Sequence, residues 1–163
     1  MDTQKLSKDL SSIDTPVRQK AISALLNAFP SIPRTEYKKI AYGLFFFYYH
    51  SDGLDNQASD AESICGLFAP LKRASFIFFA RTMFEVFKKL WHRIDYHRAN
   101  KYLGLVKDVL RAIYQRIRAE KSQLLFSYWN KYLVQKLFND GKGYLMSEGS
   151  AFRVSVRGPR AVH

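Results

Sequence analysis

The chain reads as an all-α protein of about seven helices, stacked antiparallel in the HEAT manner and followed by a short irregular tail. Three observations predict this. Apolar side chains recur at three- and four-residue steps through most of the length, which is the helical period. The 5 prolines and 8 glycines of the 163 residues fall mostly between those runs or near the C-terminus. Residues that cap helices stand where the runs begin.

The first helix is short and spans roughly Asp2 to Ser12. The second is announced by Asp14-Thr15-Pro16: Asp or Thr caps it, and Pro suits its first turn because its missing N–H would have no partner there. It carries Val17, Ala21, Leu25 and Phe29 and stops at the break Pro30 to Pro33. Thr35-Glu36 opens a third helix with Tyr37, Ile40, Leu44 and Tyr48. Its stretch Leu44 to Tyr49 is apolar or aromatic all round, as in a helix covered on more than one side.

His50-Ser51-Asp52-Gly53 then turns the chain, with Asp52 as the expected cap of the next helix. That fourth helix runs from Leu54 to Phe68, with Ala58, Ala61, Ile64, Cys65 and Phe68 facing inward, and Pro70 closes it. The fifth carries Phe76, Phe79, Met83, Phe87 and Leu90. The sixth carries Tyr102, Val106, Val109, Ile113 and Ile117. Between them Asp95 reads as an N-cap, where its carboxylate meets free N–H groups and the positive end of the helix dipole. The seventh runs from Ser122 to Asn139, with Leu125, Tyr128, Trp129, Tyr132, Leu133 and Leu137 inward. The expected organisation is a helical domain over residues 1–140 and a basic tail over 141–163. A compact irregular bundle is the alternative to a stack. In the tail, Phe152 to Arg157 alternates like a strand, but a lone strand is marginal, so an arm that orders on a partner is expected.

Composition narrows the function. A hydrophobic content of 47% suits a folded domain able to bury a core without disulfides or metals. The single cysteine, Cys65, allows no internal disulfide and no cysteine-based zinc site, and it reads as a small buried hydrophobe. Met1 to Leu10 has no apolar signal core, and the longest apolar run, Ile40 to Tyr49, is about half a bilayer span. No membrane association is expected. Lys and Arg number 26 against 14 acids, a formal charge of +12, which attracts polyanions. RNA or an RNA-rich particle is the favoured partner.

No catalytic constellation stands out. His50, Ser51 and Asp52 are adjacent, whereas triad side chains must converge from separate places. His92 and His97 straddle a turn and lack a third ligand, so no metal is expected. Gly141-x-Gly143 lacks the phosphate-loop pattern. Tyr48, Tyr49, Phe84 and Trp91 could stack on bases, but at helical spacing inside apolar runs they read as core. Lys107, Arg111 and Arg118 form a stripe opposite the apolar face of the sixth helix, which Lys121 extends, while Lys131 and Lys136 add charge on the seventh. Such a stripe is either a solvated face or a phosphate-binding one. Arg153, Arg157 and Arg160 make the tail a candidate RNA-binding arm.

Three blocks of sequence, in order, resemble the family of ribosomal RNA-processing protein 1, the nucleolar Nop52 type. The first is Thr15-Pro16-Val17-Arg18-Gln19-Lys20-Ala21. The second is Gly43-Leu44-Phe45-Phe46 with Ser51-Asp52 and Gln57. Tyr49 there stands in the place of a family tryptophan and Gly53 in the place of a lysine. The third is Phe84-Glu85, then Trp91, Ile94-Asp95, Arg98 and Lys101-Tyr102, with Phe84 replacing a tryptophan and Asn100 an aspartate. The resemblance covers roughly residues 10 to 140. It marks Pro16, Arg18, Asp52, Trp91, Asp95, Arg98 and Lys101 as motif positions with a structural role. It implies a non-enzymatic assembly factor of the nucleolus, without cofactor, metal or small-molecule substrate. Such a factor supports pre-rRNA processing for the large ribosomal subunit and is bound to precursor RNA and other assembly factors. A helical protein-binding adaptor unrelated to ribosomes is the competing expectation.

Overall fold

The computed structural model describes residues 2–133 and 135. Among them it shows seven α-helices and no strand. These are α1 (Thr3–Leu10), α2 (Thr15–Ala28), α3 (Tyr37–Tyr49), α4 (Leu54–Gly66), α5 (Arg73–Leu90), α6 (Tyr96–Ala119) and α7 (Gln123–Tyr132). Single 3-10 turns at Phe29–Ser31, Arg34–Glu36 and Trp91–Arg93 sit in the connections. The all-α class and the order of the elements are those the sequence predicts. The expected boundary between residues 140 and 141, the strand-like tail, Leu137, Lys136 and the glycine pair at 141 and 143 lie outside the described residues.

The chain forms two units, one up to Ile113 and one from Tyr114. In the first, α1, α3 and α5 pack side by side, while α2 and α4 contact each other and pair with α1 and α3 respectively. The connections make this alternation possible. Each is short, and each reverses the chain where helix formation is interrupted: by Pro30 and Pro33, by Gly53, and by the Asp95 cap.

Two aromatic groups fill the first unit. Phe29 meets Phe79 edge-on at 4.6 Å, and Tyr37 and Phe68 close around Phe79. Phe45 of α3 stacks on Tyr102 of α6 at 4.8 Å, with Phe87 of α5 at 6.0 Å from Phe45. All these rings are buried, each contributing about 1.5–3 kcal/mol of transfer free energy. Every apolar position assigned to the inner faces of α5 and α6 is buried. α1 lies close against α3 because Gly43 has no side chain; a Cβ there would stand 3.1 Å from the Ser7 backbone. In the second unit Tyr114 packs edge-on to Phe126, and Trp129 stacks on Tyr132 at 5.2 Å.

The structure corrects several local expectations. Ala58 is exposed, and Asp60 takes the buried place on α4 because Gln19 of α2 donates to its carboxylate at 3.0 Å. A paired carboxylate can be buried there where an unpaired one could not. Cys65 is half-buried. Tyr128 is exposed, whereas Leu125, Trp129, Tyr132 and Leu133 are buried as expected. α4 ends at Gly66, and the buried Leu67 and Phe68 follow in the turn. Asp14 stands at the cap of α2 without a side-chain hydrogen bond. Asp52 caps nothing, because Gly53, with φ of 80°, occupies the cap position of α4.

Candidate functional site

The C-terminal end of α3 is where the motif residues meet. A helix end leaves carbonyl oxygens without partners and carries partial negative charge. Here the His50 N–H returns to the Phe46 oxygen and the Ser51 N–H to the Tyr48 oxygen. The carbonyls of Tyr49, His50 and Ser51 remain, and two cations from other helices take them.

Lys101 of α6 donates to the Tyr49 oxygen at 3.0 Å and to the Ser51 oxygen at 2.5 Å. Arg18 of α2 donates to the His50 oxygen at 3.2 Å, to the Ser12 and Ile13 oxygens at 2.9 and 2.7 Å, and to Thr15 Oγ1 at 3.0 Å. Its guanidinium is buried and ties the α1–α2 turn to the end of α3. The planar fork of an arginine suits four acceptors in different directions. Arg18 Nε and Ser51 Oγ, both buried, make no hydrogen bond among the described residues.

A second layer surrounds the Tyr49 ring. The Arg98 guanidinium lies over it at 4.3 Å, a cation–π contact. Arg98 pairs with Asp95, and the Tyr49 hydroxyl lies 3.5 Å from the same carboxylate. Asp95 also accepts the Arg98 backbone N–H at 3.0 Å, so it caps α6 as the sequence predicts. Tyr102, one residue after Lys101, donates its hydroxyl to the Phe45 oxygen at 2.6 Å.

The electrostatics follow the geometry. Burial, reinforced by Arg18, Lys101 and Arg98, holds the His50 imidazole below its ordinary pKa. Burial also lowers the Lys101 ammonium, with Asp52 opposing. At Asp95 desolvation pushes upward, but the hydrogen bonds from Arg98 outweigh it and the carboxyl sits below its usual range. The group is a structural latch: cations close the negative end of α3 while bridging α2, α3 and α6.

Beside the latch, α4 and α6 frame a groove of about 600 Å³. Asp52, Leu54 and Gln57 line one wall, and His97, Lys101 and Gly104 the other. Among the described residues, a Cβ built on Gly104 would meet nothing within 4 Å.

The other predicted residues lie elsewhere. Pro16 is exposed in the first turn of α2, and Trp91 is half-buried in its 3-10 turn. Tyr48 and Phe84 are buried core rings. Lys107 and Arg111 are exposed in the first unit, Arg111 paired with Asp108 at 2.6 Å. Arg118 and Lys121 are exposed in the second and line a cleft of about 460 Å³ with Ile117 and Phe126. Arg153, Arg157 and Arg160 lie outside the described residues. Sequence reasoning missed the acceptors of the latch, which are backbone carbonyls and carry no residue-type signal. It also missed Gly104, which reads as an ordinary helix residue.

Among the described residues no helix is long and apolar enough to cross a membrane, and no cluster of His, Cys, Asp and Glu could hold a metal ion. No curated protein matches the chain. The family model described as the nucleolar protein Nop52 matches residues 1–154 and so takes in all three blocks that build the latch. The chain therefore belongs to the Nop52 family of nucleolar proteins, whose work is ribosomal RNA processing and ribosome biogenesis.

Proposed function

We propose that this protein is a non-catalytic scaffold in maturation of the large ribosomal subunit, holding precursor RNA and other assembly factors in the nucleolar preribosome. One observation carries the reading. Arg18, Asp95, Arg98 and Lys101, which could serve chemistry in an enzyme, are engaged in closing the end of α3 and fixing three helices. The alternating layers of the first unit support a degenerate HEAT-type stack, a form that presents long faces to partners. The exposed Lys107, Arg111, Arg118 and Lys121 supply cations for phosphate, and Arg153, Arg157 and Arg160 extend that charge along the sequence.

The test is purification of the tagged full chain from its own cells, followed by sequencing of the associated RNA. Large-subunit precursors are the expected cargo. Recovery of partner proteins with no preribosomal RNA supports the adaptor reading instead. The Asp95→Asn variant separates scaffold from enzyme: a scaffold loses stability at the cap, whereas an enzyme loses turnover with its fold intact.

A further inference from the structure

We infer that the edge formed by the α1–α2, α3–α4 and α5–α6 connections, with the groove between α4 and α6, docks a protein segment that carries apolar side chains flanked by Lys or Arg. The inference deepens the scaffold reading and rests on it.

The apolar part is unusual. Ile13, Leu54 and Tyr96 are 85%, 83% and 90% exposed. Ile13 lies in the α1–α2 connection, Leu54 opens α4 and Tyr96 opens α6, and the latch ties all three chain segments to the end of α3. The Ile13 carbonyl shares the Arg18 guanidinium with that of His50. Leu54 lines the same groove as Arg98 and Lys101. Tyr96 follows Asp95, whose carboxylate reaches Tyr49. Exposed large side chains gathered at one place mark a contact surface, whereas scattered ones mean nothing.

The groove supplies room. Gly104 lies inside the 24-residue α6, where glycine destabilises a helix, and a Cβ added there would meet nothing within 4 Å among the described residues. A glycine without a packing reason among the described residues, on the wall of a groove, leaves space for another backbone.

Charge selects the occupant. The protein is strongly cationic, but this edge is not. Asp14, Asp52 and Asp55 are exposed there, and their carboxylates make no hydrogen bond or ion pair among the described residues. The cations nearest the groove are engaged: Lys101 with the α3 carbonyls, Arg98 with Asp95 and Tyr49. Arg93, His92 and His97 are the exposed basic side chains beside them. Outward carboxylates repel phosphate and attract Lys or Arg, so the surface fits a basic, apolar-bearing protein segment rather than RNA.

The experiment titrates the full chain with three labelled probes: an amphipathic peptide of leucine and lysine, its leucine–glutamate counterpart, and oligouridylate. Fluorescence anisotropy gives affinity, and amide chemical shifts give location. The leucine–lysine peptide should bind, shift residues around Leu54, Tyr96 and Gly104, and exceed the glutamate peptide by at least about tenfold. Gly104→Leu fills the groove in open space, and Leu54→Ser with Tyr96→Ser removes the anchors. Each should weaken the peptide by about tenfold, as loss of a central anchor does, with thermal melting showing the fold retained. Equal affinity in the variants, or oligouridylate displacing the peptide from these residues, overturns the inference. Oligouridylate binding that survives in both variants leaves the scaffold reading standing even if the peptide fails. Absence of oligouridylate binding by the unaltered chain counts against the scaffold reading and not against the groove.

Discussion

The ammonium group of Lys101 lies 2.5 Å from the backbone oxygen of Ser51, fifty positions earlier in the chain. The contact joins α6 to the residue that ends the α3 turn, and it leaves neither group to solvent alone. Replacing Lys101 with Met keeps the apolar stem and strands the Tyr49 and Ser51 carbonyls. The expected cost is about 1–3 kcal/mol, read from urea unfolding. An unchanged unfolding midpoint would show that these bonds add nothing to stability.

Arg18 makes the sharper case because its partners are four and its burial is nearly complete. Arg18→Lys preserves charge but not the fork. A compact ammonium reaches fewer of the acceptors, and the loss should be about 2–4 kcal/mol despite the conservative exchange. Recovery of full stability by lysine would mean that charge at the helix end, not geometry, holds the turn.

Gly43 and Gly104 both lie inside helices and should respond oppositely to alanine. At Gly43 a Cβ would press on Ser7 Oγ at 3.0 Å and on Leu10 at 3.1 Å, forcing α1 away from α3. Gly43→Ala should destabilise by about 1–3 kcal/mol through overpacking. Gly104→Ala enters open space and should stabilise by about 0.5–1 kcal/mol through helix propensity. Thermal melting of the pair decides both.

Lys121 adopts φ of 48°, the left-handed conformation that ends many helices and that glycine usually supplies. Its N–H bonds to the Arg118 oxygen, so the conformation belongs to the closing turn of α6. Lys121→Gly removes the steric penalty against a modest entropic cost and should raise stability by about 0.5–1 kcal/mol. A fall in melting temperature would contradict this.

His50 gives the pH dependence. Its folded-state pKa is held below the ordinary 6.5, so the unfolded chain binds the proton more readily. Stability is therefore fully present above that value and is lost as pH falls through it toward the folded pKa. Asp95, held below its ordinary 3.8, acts in a separate and more acid window. Urea midpoints measured from neutral to mildly acid pH should fall for the unaltered chain and stay flatter for His50→Gln. Parallel curves would assign the dependence elsewhere.

Much of the fold is legible in the sequence. Phe76, Phe79, Met83, Phe87 and Leu90 repeat at helical spacing, and every one is buried. Asp95 could be read as a cap because a cap bonds its own next turn, a contact three residues long. Asp60 and Ala58 were not legible. Polarity argued that alanine should face inward, and the decision belonged to Gln19, which stands 41 positions away and satisfies the buried carboxylate.

The sequence by itself determined the helices, their order, the positive charge and the family, because each is written in local pattern, in summed composition or in a short motif. Tertiary structure alone decided what Arg18 and Lys101 do. Their partners are backbone oxygens of a distant helix end, which every residue possesses and no residue type announces. Only the packing of α2 and α6 against α3 brings those cations to that negative end.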